Sequence, residues 1–224
     1  MANVSQAGVY RHPTLCVHLY IYYSPGRKNP LNPETDTRDG RTMRERMEAG
    51  DLYQAVDPEL GEAARRGMLL ADEYSRTWTA DPAAAREILG ELLGSCAPDV
   101  EIRPPLYVDY GSYITIGAGT FINYNFTALD VAPITIGADV MMGPNVQLLT
   151  PTHPTDPELR RAKWEAAKPI TIGDNAWLGG GVIVLPGVTI GANTVVGAGS
   201  VVTRDLPANT VAVGNPARVV RTLP

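Results

Sequence analysis

His153 is the single histidine beyond position 18 in a chain of 224 residues, and it stands in "TPTHPTDPELR", a proline-rich stretch at 150–160. An imidazole takes up and releases a proton near neutral pH, which suits it to act as a general base on a hydroxyl. In most proteins a lone loop histidine only hydrogen-bonds a carbonyl, so the elements around it decide. Cys16 and Cys96 are the only thiols, and neither lies in a recognisable nucleophile motif with a histidine. A covalent intermediate on a thiol is therefore not expected. Nor do two cysteines make a disulfide framework or a paired metal motif.

The bulk numbers exclude several classes. With 24 acidic and 19 basic residues, the formal charge of −5 leaves no electrostatic footprint for nucleic acid or an anionic membrane. No window offers about eighteen continuous apolar residues, so no membrane-spanning helix is expected. The early run "TLCVHLYIYYS" is broken by His18 and lacks a small-residue cleavage site, so it is not read as a signal peptide. A reducing cytoplasm is the expected location.

Three regions must place the histidine. Residues 1–40 show no sustained period. Leu15 to Tyr23 could be a strand, and "SPGRKNPLNPETDTRDG" reads as loop or disorder, so this extension is expected to be an add-on. Residues 41–100 read as a helical cap. "DPEL" at 57 and "DPAA" at 81 each put Asp at an N-cap and Pro at the first helical position. Leu60, Ala64, Met68, Ala71 and Tyr74 follow at helical spacing, as do Ile88, Leu89, Leu92 and Leu93, with Gly50 and Gly94 as stops.

From 101 to 224 the period changes. Ile172, Leu178, Val184, Ile190, Val196 and Val202 recur every six residues, as do Ile136, Met142 and Leu148, and Ile116, Ile122 and Ala128. A small or β-branched residue follows each aliphatic by four, for example Val140, Val146, Ala176 and Val182. A period of six is the mark of a parallel β-helix. Three hexads close one triangular coil, so residues eighteen apart stack: Ile172 with Ile190, Leu178 with Val196, Val184 with Val202. Gly, Asn and Asp suit the corners, where the backbone is left-handed or crowded. The rhythm slips by two at "DVAP" and breaks between Leu148 and Ile172, an inserted loop at about 150–169 that contains His153. A long loop on a rigid prism is more often functional than not.

"NYNFTALDVAPITIG", "GPNVQLLTPTHPTDPELR", "KPITIGDNAWLGGGVIVLPGVTIG" and "GAGSVVTRDLPANTVAVGNPARVVR" resemble the hexapeptide-repeat acetyltransferases, closest to the maltose and galactoside O-acetyltransferases and the nodulation acetyltransferase. The resemblance covers 41–221 and implies an all-β main domain, a left-handed parallel β-helix with an N-terminal α-helical cap. It implies a homotrimer with acetyl-CoA bound between neighbouring prisms, and acetyl transfer to a hydroxyl of a sugar such as maltose or glucose. His153 matches the catalytic base. Glu165 stands where maltose-type relatives carry a carboxylate beside it, which would fix the ring tautomer. Asn123 matches the asparagine that contacts acceptor and transition state. Asp109, and with looser register Asp130, fall where the family touches the sugar. Gly180, Ala198, Thr203, Arg204, Arg218 and Arg221 match coenzyme A contacts, the arginines offering bidentate forks to phosphate. Trp177 could flank the same site or pack between prisms. No metal is implied. The cap departs from the galactoside branch: Ala55 and Ala64 occupy positions where polar sugar contacts are expected there.

Three other readings share parts of this pattern. One keeps the fold and the transfer but takes an antibiotic or another small hydroxyl compound. A zinc hydratase on the same prism needs several clustered histidines, whereas His12 and His18 lie in the unpatterned N-terminus. A non-enzymatic scaffold would need neither the His153 loop nor the basic tail.

Overall fold

A computed structural model describes residues 39–224; the strand and loop expected within 1–38 lie outside the described residues. Stacked two- to four-residue strands form three parallel sheets, the three faces of a prism. The first face holds Ile114–Ile116, Ile134–Ile136 and Ile170–Ile172, the second Phe121–Ile122, Met141–Met142 and Trp177–Leu178, the third Phe126–Leu129, Gln147–Leu149 and Ile183–Val184. The expected stacking is the observed pairing: Ile172 opposite Ile190, Leu178 opposite Val196, Val184 opposite Val202. Ile136, Met142 and Leu148 pair with Ile172, Leu178 and Val184 across the insertion, so the inserted segment leaves the coil in register.

Inward residues of all three faces form one apolar core, with Ile134, Leu148, Ile170, Leu178 and Val184 fully buried. The two roles of the corner residues separate. Asn125, Asp139, Asn145, Asn175, Asn193 and Asn209 take left-handed φ between 54° and 61°, which Asn and Asp tolerate best among residues with a Cβ. The glycines that follow the aliphatics serve closeness instead. A Cβ on Gly143 would meet the Gly180 nitrogen at 2.5 Å, and one on Gly179 the Ala198 nitrogen at 2.6 Å.

Every departure from the six-residue step falls on one edge, the one joining the third face to the first. Val108 to Ile116 and Ala128 to Ile136 each take eight residues, and the insertion follows Leu149. Stacked pairing holds the strands to a common length, so extra residues collect at a corner.

The cap reaches from that edge across the end of the prism, where Ala71, Tyr74, Ala85, Leu89 and Leu92 join its core. It comprises α1 (Met43–Glu48), α2 (Pro58–Thr77) and α3 (Pro82–Leu92). Asp57 and Asp81 cap α2 and α3 as expected, accepting from Glu59 and Leu60 and from Ala84. The buried stripe of α2 is Leu60, Gly67, Ala71 and Tyr74, not the expected Met68, which is exposed. Gly67 takes the inward place because a Cβ there would meet the Tyr110 carbonyl oxygen at 2.7 Å. Gly94 follows the C-cap of α3 without a left-handed φ; a Cβ there would collide with the Ser112 oxygen, so close approach explains it. The coil begins earlier than position 101: Ser95–Cys96 already pairs with Thr115 and Ile116. Among the described residues no helix is long and apolar enough to cross a membrane.

Candidate active site

The inserted segment is folded. Pro151–Thr152 pairs antiparallel with Trp164–Ala167, Pro151 opposite Ala167 and Thr152 opposite Ala166. Between them α4 (Pro157–Arg161) is capped by Asp156, which accepts from Glu158 and Leu159. On its other side Trp164–Ala167 pairs with Tyr53–Gln54 of the cap, Tyr53 opposite Glu165. Extending the first register by one residue sets His153 opposite Glu165. Directly opposed residues project from the same face of a sheet. Tyr53, Glu165 and His153 therefore form a row from core to solvent: Tyr53 is buried, Glu165 half-buried and His153 exposed.

All three line a cavity of about 320 Å³ at the bulged edge. Asp109 and Tyr110 come from the lower corner, Leu129 and Val131 from the next, and Ala55, Leu60 and Ala64 from the cap. One wall is polar and the other aliphatic. Behind it Met47, Tyr53, Leu60, Tyr110, Val131 and Ala167 belong to an apolar cluster separate from the prism core.

Burial, aided by the Asp130 and Glu165 carboxylates, pushes the Asp109 carboxyl up to about 6. The Tyr53 phenol is raised by burial first and then by Glu165, the Tyr110 phenol by burial and then by Asp109. Neither phenol ionises in neutral solution, so both keep a proton available for donation. The Asp109 value carries a stability consequence. Its folded pKa exceeds the unfolded value, so the folded state binds the proton more tightly and stability falls as pH rises from about 4 through about 6. Asp109→Asn is expected to melt higher than the parent at pH 8, by an advantage of at most about 3 kcal/mol. That advantage closes at pH 4, and thermal melts at the two pH values measure it.

Asp130 corrects an expectation. It is fully buried and is not among the residues lining the cavity. Its carboxylate accepts backbone N–H groups from Asp109 at 3.1 Å, Tyr110 at 2.9 Å and Tyr113 at 3.2 Å. It ties the two lower corners together, and Val131, next in sequence, takes the place on the cavity wall.

The remaining candidates lie elsewhere on the single chain. Asn123 sits on the edge between the second and third faces, its Oδ1 accepting from the Tyr124 N–H at 2.8 Å. Gly143, Gly179 and Gly197 stack above it through successive backbone bonds, which puts Gly180 and Ala198 on the same edge. The Gly180 carbonyl accepts from Gly199 at 2.9 Å, while its own N–H makes no hydrogen bond among the described residues. Trp177 is exposed on the adjoining second face. Thr203 and the exposed Arg204 lie on the bulged edge, the Thr203 hydroxyl buried with no partner among the described residues. Arg218 and Arg221 are exposed on the outermost strand, Arg218–Thr222. Tyr53, Tyr110 and Val131 were not anticipated. The stretch around Tyr53 carries no period, and the position of its side chain follows from pairing with a strand distant in sequence.

A coil of hexapeptide turns, bulged on one edge around a histidine and covered there by helices, is the architecture of the hexapeptide-repeat transferases. Residues 169–204 match the family described as bacterial transferase hexapeptide (six repeats), and 46–97 the maltose acetyltransferase hexapeptide capping motif. Nodulation protein L of Rhizobium leguminosarum bv. viciae is 49% identical over 80% of this chain and 94% of its own. A maltose O-acetyltransferase structure from Clostridium difficile 630 superposes with a TM-score of 0.81 at 43% identity, covering 82% of this chain and 98% of that one. A galactoside acetyltransferase in complex with coenzyme A gives 0.79 at 39% identity, covering 82% and 92%. The chain belongs to the hexapeptide-repeat acetyltransferases, in the maltose and galactoside O-acetyltransferase branch.

Proposed function

We propose that this protein moves the acetyl group of acetyl-CoA directly to a hydroxyl of a sugar such as maltose or glucose, with His153 as general base. The observation that carries the reading is the convergence of His153, Glu165 and Asp109 on one cavity beneath the cap. Asp109 accepts hydrogen bonds from acceptor hydroxyls. His153 takes the proton of the reacting hydroxyl as its oxygen bonds to the acetyl carbon. Glu165 holds the ring and offsets the imidazolium charge. The carbon–sulfur bond then breaks, and the imidazolium returns the proton to the departing sulfur. Asn123 is placed in the reading as a donor to the developing oxyanion.

Gly180 and Ala198 would flank the thioester arm. The open Gly180 N–H supports this, as does the close packing beside it, where a Gly180 Cβ would approach the Pro144 oxygen to 3.3 Å. Thr203, Arg204, Arg218 and Arg221 would hold the phosphate-bearing end. Because Asn123, Gly180 and Ala198 occupy a different edge from His153, a complete site needs the matching edge of a second copy. The outer faces favour such contact. The second face shows Phe121, Met141, Trp177, Val195 and Val211 outward in one row, whereas the first shows Ser95 and four threonines. A homotrimer closes such contacts into a ring.

The aliphatic wall formed by Ala55, Leu60, Ala64 and Val131 favours a second reading, an antibiotic or another small hydroxyl compound with an apolar face. A panel of maltose, glucose, a galactoside and hydroxylated antibiotics with labelled acetyl-CoA separates the two. Maltose or glucose is expected to be acetylated with the highest kcat/KM. Transfer to none of the panel, or preference for an antibiotic, removes the sugar reading.

A further inference from the structure

Tyr53 is exposed by only 1% and belongs to the apolar cluster under the cavity. Packing asks only for an aromatic ring there; phenylalanine would fill the same slot. The hydroxyl needs a separate account, because a buried O–H without an acceptor is costly. Backbone register sets Tyr53 directly opposite Glu165, both side chains line the cavity, and the Glu165 carboxylate helps to keep the phenol protonated. His153 follows directly on the strand paired to the other side of Trp164–Ala167, and it lines the same cavity as Glu165. The phenol is therefore the buried end of a row whose other end is the exposed imidazole.

We propose that Tyr53 is a positioning residue: its hydroxyl holds the Glu165 carboxylate in the rotamer that faces His153. A glutamate side chain has three rotatable bonds, and one fixed donor narrows its choice at little entropic cost. The cap then contributes to proton transfer through a strand contact that also clamps the inserted segment. This inference rests on the reading of His153 as base.

The test is a kinetic cycle on the full chain with Tyr53→Phe, Glu165→Gln, the double variant, and His153→Ala in parallel. Tyr53→Phe is expected to lower kcat about tenfold, the low end for removing an outer-shell orienting partner. The KM for acetyl-CoA and the thermal midpoint should stay unchanged. On the Glu165→Gln background the same change should cost nothing further, as required of residues acting in series. Unchanged kcat in Tyr53→Phe, a lowered melt without a kinetic effect, or additive losses in the double variant would each overturn the proposal. If His153→Ala turns over normally, the base reading falls and this inference with it. If His153→Ala is inactive while the cycle is additive, only the role of Tyr53 falls.

Discussion

His153→Ala is expected to lose about 10²- to 10⁴-fold in kcat, the range that a positioned general base supplies. Acetyl-CoA affinity should persist, because the candidate contacts Gly180 and Ala198 lie on another edge of the prism and Arg218 and Arg221 on its last strand. Little stability should be lost, since the imidazole is exposed and the strands around it are held by backbone pairing. Initial rates across acetyl-CoA concentrations, with calorimetric titration of the variant, check both halves. Near-normal kcat would remove the base from His153 and with it the direct-transfer scheme.

Asp130→Ala carries the second large effect, on stability. Three backbone N–H groups at the lower corner lose their acceptor at once. An orphaned buried donor costs about 1–3 kcal/mol, so a total loss of about 3 kcal/mol or more is expected. That is a sizeable part of a typical folding free energy of about 5–15 kcal/mol. Asp130→Asn should fall between, because one carboxamide oxygen can still serve Asp109 and Tyr110. The measurement is the thermal midpoint of each variant beside the KM for acceptor. A ligand-contacting Asp130 would raise KM and leave the melt in place, which is the outcome that sinks the structural assignment.

These two aspartates show why site residues are harder to read than coils. Asp109 and Asp130 both sit at corners where the hexad slips, and both carry a carboxylate suited to hydroxyl recognition, Asp130 in the looser register. Depth separates them. Asp109 borders the cavity, whereas Asp130 is sealed behind it by backbone donors from a corner about twenty residues away. Tyr53 is a similar case. Its neighbours in sequence carry no period, and its role arises from a strand partner in the inserted segment. Met68 against Gly67 turns on one contact, the approach of α2 to the Tyr110 carbonyl.

Local chemistry was enough for the coil, its stacking partners, the caps of α2 and α3, and the placing of His153 in an inserted segment. The six-residue period repeats one physical requirement at every turn, an inward aliphatic over an inward aliphatic, so each hexad predicts the next. The cavity has no such period. It forms where a cap helix, two bulged corners and a folded-back strand meet, and each wall is set by burial and cross-strand register between segments far apart in the chain. Those quantities exist only once the chain is packed.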